Sequence, residues 1–185
     1  PLWIFILFMM KDSSSSSTLV QSAMFYGMYL GAFLLFRFGL NVLATDTVIL
    51  SFVVFFLTLF IPILAYILLV RFKKSLPLME INFRQAYMFT FFLFLFGSLI
   101  LAIVQYFYYQ YINTDFLYQQ YQVVLQNSTL LLQEFPQMKP FIQELKQSGV
   151  PSAIAVASQN IWIYSFTGII IGIVLGLIVK TKQKT

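Results

Sequence analysis

The sequence predicts an all-α integral membrane protein: a four-helix bundle with an extracytoplasmic helical insert between spans three and four. Composition is the first observation. Of 185 residues 60% are hydrophobic and 9% are charged, where a soluble domain carries about 25% charge. The mean hydropathy of +0.86 fits a chain whose main solvent is lipid. The second observation is length: four stretches reach the roughly 20 apolar residues that a helix needs to cross a bilayer. The third is that these runs lack the period-two alternation of barrel strands, so helices are the remaining way to satisfy the backbone in lipid.

The spans fall at about residues 19–40, 48–70, 86–108 and 161–179. Cations set their direction. The loop "RFKKSLPLMEINFRQ" (residues 71–85) carries Arg71, Lys73, Lys74 and Arg84; the tail carries Lys180, Lys182 and Lys184, and Lys11 precedes span one. All of these lie on one side of a four-span topology, while the other side holds only Lys139 and Lys146. The bias places both termini and the basic loop in the cytoplasm. Tyr106, Phe107, Tyr108, Tyr109 and Tyr111 form an aromatic belt at the outer end of span three.

Residues 1–18 read as a leader. "PLWIFILFM" is apolar but about half the length of a span. It is either the end of an upstream span or signal core, or sequence ahead of a start at Met10, and the second is preferred because position 1 is not Met. The serines at 13–17 are expected to be solvated and disordered.

Residues 109–160 form the insert. Asn113, Thr114 and Asp115 resemble a helix cap, and Leu117, Tyr121, Val124 and Leu125 recur at near-helical spacing. Pro136 breaks the run, Pro140 opens a second short helix, and Gly149 with Pro151 stops it. Two amphipathic helices this small are expected to lie on the membrane or cap the bundle. The "NST" at Asn127 matches a glycosylation sequon, though a polar turn of a helix face explains it as well. Span four has room to begin as early as Ser152.

No catalytic, cofactor-binding or metal-binding constellation is legible. The chain has no His and no Cys, and it shows no phosphate loop, no acidic pair and no metal spacing. The net charge of +5 lies beside apolar runs, so it marks topology rather than nucleic acid.

The strongest motifs are stripes of small residues. Ala23, Gly27 and Gly31 lie four apart in span one, as do Gly168, Gly172 and Gly176 in span four. Residues four apart share a helix face, and small ones let backbones approach closely in lipid. Spans one and four therefore pack on each other, or each meets another subunit. Arg37 is the one charge well within a span. It either snorkels or pairs with Asp46 or Asp115 at the outer surface, or it contacts an anion or lipid phosphate. Pro62 is expected to kink span two, for packing or as a hinge. Gln105 is a candidate for an interhelical hydrogen bond. A transport path would need a polar face through the spans, and Gln21, Ser22, Thr58, Thr90, Ser98, Gln105 and Ser165 are scattered.

The stretches "AMFYGMYLGAFLLFRFGL", "FIPILAYILLVRFKK", "INFRQAYMFTFFLFLFGSLI", "YYQYINTDFLYQQYQ" and "ASQNIWIYSFTGIIIGIVLGLIV" carry a family resemblance. Over roughly residues 20–180 the chain resembles bacterial membrane proteins of domain-of-unknown-function family four-one-nine-nine. The resemblance implies four spans and, as the family has no settled activity, contributes no catalytic residues. Genes of such proteins lie near membrane glycosyltransferases, which implies an envelope-assembly partner. The expected role is a non-enzymatic accessory or scaffold subunit, with the bilayer and either a membrane protein or a second copy as partner. The rival is an oligomeric small transporter or channel for a solute or lipid.

Overall fold

The computed structural model describes residues 13–44, 48–76 and 79–180. Among them the secondary structure is helical throughout. The chain forms α1 (Ser13–Leu43), α2 (Val48–Ser75) and α3 (Phe83–Phe107), the last continued by a π-helical turn at Tyr108–Ile112. It goes on as α4 (Phe116–Gln126), α5 (Ser128–Glu134), a 3-10 turn at Pro136–Met138, α6 (Lys139–Ser148) and α7 (Ala153–Val179). Four segments are long and apolar enough to cross a membrane: Thr18–Leu43, Ile49–Ser75, Phe83–Ile112 and Ala153–Val179. These match the four expected spans, each longer by several residues.

The extra length has local causes. α1 starts at Ser13, inside the stretch expected to be a disordered leader. A nucleated helix gains a hydrogen bond with each residue it adds, and serine costs only a few tenths of a kcal/mol, so the span extends into the serines. At α3, the Asn82 amide donates to Gln85 Oε1 at 3.1 Å, half of a capping box. α7 begins beside Ser152, whose Oγ accepts the Ala155 amide at 3.3 Å as an N-cap. Residues 1–12, with Met10 and Lys11, lie outside the described residues, as do Asp46, Lys182 and Lys184.

The chain divides into two compact units. One takes the described residues up to Leu101 and those from Ile161 on, and it holds most of the apolar core. Leu30 and Leu34 of α1, Ala65 and Leu69 of α2, and Phe89, Leu93 and Phe94 of α3 are fully buried. Rings join the helices: Phe72 of α2 stacks on Phe89 of α3 with centroids 4.3 Å apart and planes 5° from parallel. Tyr26 of α1 meets the same Phe89 edge-on at 5.8 Å. The outward faces are also apolar, with Phe52, Phe56, Trp162 and Ile170 exposed. In water such surface would be a liability; in lipid it is ordinary.

The second unit is Ala102–Asn160. Its core is small: Tyr109 stacks on Phe116, and Ile142 is buried. Tyr121 donates to the Leu145 carbonyl at 3.3 Å, tying α4 to the end of α6. Gly149 stops α6 with φ 71° and ψ −160°, a conformation that only glycine adopts without strain. Asn113 departs from the expected cap. Its side chain donates to the Tyr108 hydroxyl at 3.2 Å, while its carbonyl accepts the Phe116 amide.

Candidate functional site

The two glycine stripes converge on α3. A Cβ added at Gly27 would lie 2.8 Å from Phe96 Cβ, and one at Gly31 would lie 2.9 Å from Ile100 Cδ1. From the other side, a Cβ at Gly97 would lie 3.3 Å from the Gly31 amide nitrogen, so the two backbones nearly touch. On α7, a Cβ at Gly168 would fall 2.7 Å from Phe94 Cβ, one at Gly172 3.2 Å from Tyr87, and one at Gly176 2.9 Å from Phe83. These distances are below or at the tight edge of van der Waals contact, so each position accepts little beyond hydrogen. Ala23 is buried on the same face of α1.

Sequence spacing explains how one helix serves two partners. Phe83, Tyr87, Thr90 and Phe94 recur every three or four residues and form one stripe of α3; Leu93, Phe96, Gly97 and Ile100 form a second. The α7 glycines climb as their α3 partners descend, an antiparallel pairing, whereas those of α1 climb together with theirs. The expected pairing of span one with span four is thus replaced by two separate seats on span three. Small residues in lipid demand a close neighbour but not another small one, and large rings fill the grooves that glycines leave.

Arg37 sits at a junction of three spans. Its Nε donates to Thr58 Oγ1 of α2 at 2.8 Å, and Nη1 donates to the Tyr164 hydroxyl of α7 at 3.2 Å. Thr58 Oγ1 donates its own hydrogen bond to the Val54 carbonyl at 2.8 Å, leaving its lone pairs to the guanidinium. Arg37 lies roughly a turn and a half before the end of α1, whereas Thr58 lies almost three turns inside α2. The side chain therefore leans back along its helix, the direction in which Cα–Cβ bonds tilt, instead of reaching for the nearer helix end. Its partners among the described residues are two neutral hydroxyls.

Pro62 is exposed, one turn beyond Thr58, and α2 runs through it as a single helix. Proline has no N–H to give the Thr58 carbonyl, which normally closes that turn. The backbone is thus underbonded at the residue that also receives Arg37.

Of the polar side chains available to line a path, Thr90 and Ser98 stay close to home. Thr90 Oγ1 donates to the Ala86 carbonyl at 2.9 Å and Ser98 Oγ to the Leu95 carbonyl at 2.9 Å, both on their own helix. Ser165 is buried, and its Oγ has no hydrogen-bond partner among the described residues. Gln105 accepts from Asn160 Nδ2 at 2.7 Å, an interhelical bond within the second unit. Among the described residues no group of three His, Cys, Asp or Glu side chains could hold a metal.

Lys73 adds a feature that composition does not reveal. Its Nζ donates to the Val179 carbonyl at 2.9 Å, capping α7 from α2. The C-terminal ends of α2 and α7 are therefore neighbours, which gathers Arg71, Lys73, Lys74 and Lys180 at one end of the unit.

The family model described as "Protein of unknown function (DUF4199)" matches residues 21–181. None of the curated proteins and none of the solved structures matches the chain.

Proposed function

The chain belongs to the family of that description, and from this premise we propose a non-enzymatic accessory subunit that holds a partner protein in a membrane. The partner we infer is an envelope-assembly enzyme of the bacterial inner membrane, with both termini of the subunit in the cytoplasm. One observation carries the reading. The interior of the first unit is filled by α3. Among the described residues, two of the three hydroxyls buried in that unit, Thr90 and Ser98, are bonded to their own helix, which leaves Ser165 as a single isolated hydroxyl. Closely seated apolar helices of this kind favour a role through outward surfaces over a conduit through the middle.

Two surfaces remain for a partner. The spans present rings such as Phe52, Phe56 and Trp162, and the second unit presents Tyr118, Val123, Phe135 and Val150, all exposed. Exposed aromatic and aliphatic residues of the second unit suit a docking face for a polypeptide. The clustering of cations at the α2 and α7 ends supports a cytoplasmic position for that end.

The test is affinity purification of the full-length protein from its native membrane in mild detergent, with mass spectrometry of what copurifies. The reading predicts a stoichiometric membrane protein that is lost when Phe135 and Val150 are both changed to Ser. A homo-oligomer that carries solute across vesicles, without another protein, would replace this reading with the transport one.

A further inference from the structure

We propose that Arg37 and Tyr164, framed by Thr58, bind the phosphate of an anionic lipid headgroup. The inference does not depend on the accessory reading. A guanidinium offers five N–H donors, and the protein fills Nε through Thr58 and one position on Nη1 through Tyr164. The remaining donors and the full positive charge have no match among the described residues. Tyr164 accepts from Arg37, so its own O–H is a further donor for which the described residues supply no acceptor. The junction is therefore a set of donors around a cation, with no carboxylate in it among the described residues.

Geometry makes the set a site. Hydroxyls from two different helices hold the guanidinium on two of its nitrogens, which fixes its plane. A fixed guanidinium edge matches two oxygens of one acceptor, the arrangement that phosphate and carboxylate offer. The place is open: Thr58 is exposed, and Arg37 and Tyr164 are half-buried. It opens on the side of the spans, where the surroundings are lipid.

Depth selects the source of the anion. Helices of 26 and 27 residues measure about 40 Å, against a hydrocarbon core of about 30 Å. The Arg37 backbone then lies only a few ångströms inside the core boundary, while Thr58 and Tyr164 hold its guanidinium deeper, about 8–11 Å inside, so a headgroup reaches it where the bilayer thins locally. A cation left unpaired there is costly, and the nearest abundant anions are the lipid phosphates of the adjoining headgroup layer. Net negative charge on the lipid is favoured because the described residues of the site supply one positive charge and no negative one.

The test uses the full-length protein in mild detergent, titrated with phosphatidylglycerol, phosphatidylcholine or inorganic phosphate and read by native mass spectrometry. Wild type is expected to retain phosphatidylglycerol over phosphatidylcholine. Arg37→Gln should lower that retention roughly tenfold, and Arg37→Lys should also lower it because the fork is lost. Tyr164→Phe should weaken it by a few-fold while melting like wild type without lipid. This last variant keeps the test meaningful if Arg37→Gln does not fold. Equal retention of the two lipids, or undiminished phosphatidylglycerol binding in folded Arg37→Gln or Tyr164→Phe, overturns the proposal. Saturation by inorganic phosphate that displaces the lipid assigns the site to a soluble anion and overturns the lipid source.

Discussion

Lys73 Nζ lies 2.9 Å from the carbonyl oxygen of Val179 and closes the last turn of α7 from a neighbouring helix. The last carbonyls of a helix lack intrahelical donors and carry partial negative charge. An ammonium there both donates a hydrogen bond and complements the dipole. Lys73→Met should keep the aliphatic packing and lose this cap, at about 0.3–1 kcal/mol. Amide exchange over the final turn of α7 should quicken while the middle of the helix stays protected. Unchanged exchange at that turn would deny the cap an energetic role.

Glycines in this chain are not equivalent. A Cβ at Gly168 would sit 2.7 Å from Phe94 Cβ, an atom fixed to the backbone that cannot swing aside, whereas one at Gly39 meets nothing within 4 Å. Gly168→Ala should destabilise by about 1–3 kcal/mol through overpacking. Gly39→Ala should be neutral or stabilising by up to about 1 kcal/mol, the difference in helix propensity. Thermal unfolding of the two variants in the same detergent separates the cases, and equal melting would remove the close approach as a cause.

Phe72 and Phe89 stack at 4.3 Å with both rings buried. In lipid the gain from leaving water is absent, so the pair stabilises by contact and quadrupole geometry. A double-mutant cycle with Phe72→Leu and Phe89→Leu should return a coupling of about 0.5–1.5 kcal/mol. A coupling near zero would mean that the rings act only as volume.

The four spans were legible because length and apolarity decide them, and the stop at Gly149 because its φ of 71° needs glycine. The partner of the glycine stripes was not legible. A small face states that something comes close, but it does not name the surface, and Phe94 or Phe96 look in sequence like any lipid-facing ring. The same holds for Arg37. Its hydroxyl partners are 21 and 127 residues away, on helices whose rotation about their own axes no pattern in these uniformly apolar runs reveals. The helical serines at 13–17 run the other way: their local composition favours disorder, and the span to which they are joined carries the helix through them.

The central claim is that the glycine stripes close the fold from within, on α3, instead of facing another subunit. The chain has no cysteine, so an introduced pair reports alone. A Cβ at Gly172 would lie 3.5 Å from Thr90 Cβ, at the short end of the separation that a disulfide spans. The measurement is oxidation in native membranes of the double variant Gly172→Cys with Thr90→Cys and of Gly172→Cys alone, followed by non-reducing electrophoresis and mass spectrometry. The account predicts an intrachain disulfide in the double variant and no dimer from the single one. A disulfide-linked dimer through Gly172→Cys alone, with no intrachain bond in the pair, would contradict it.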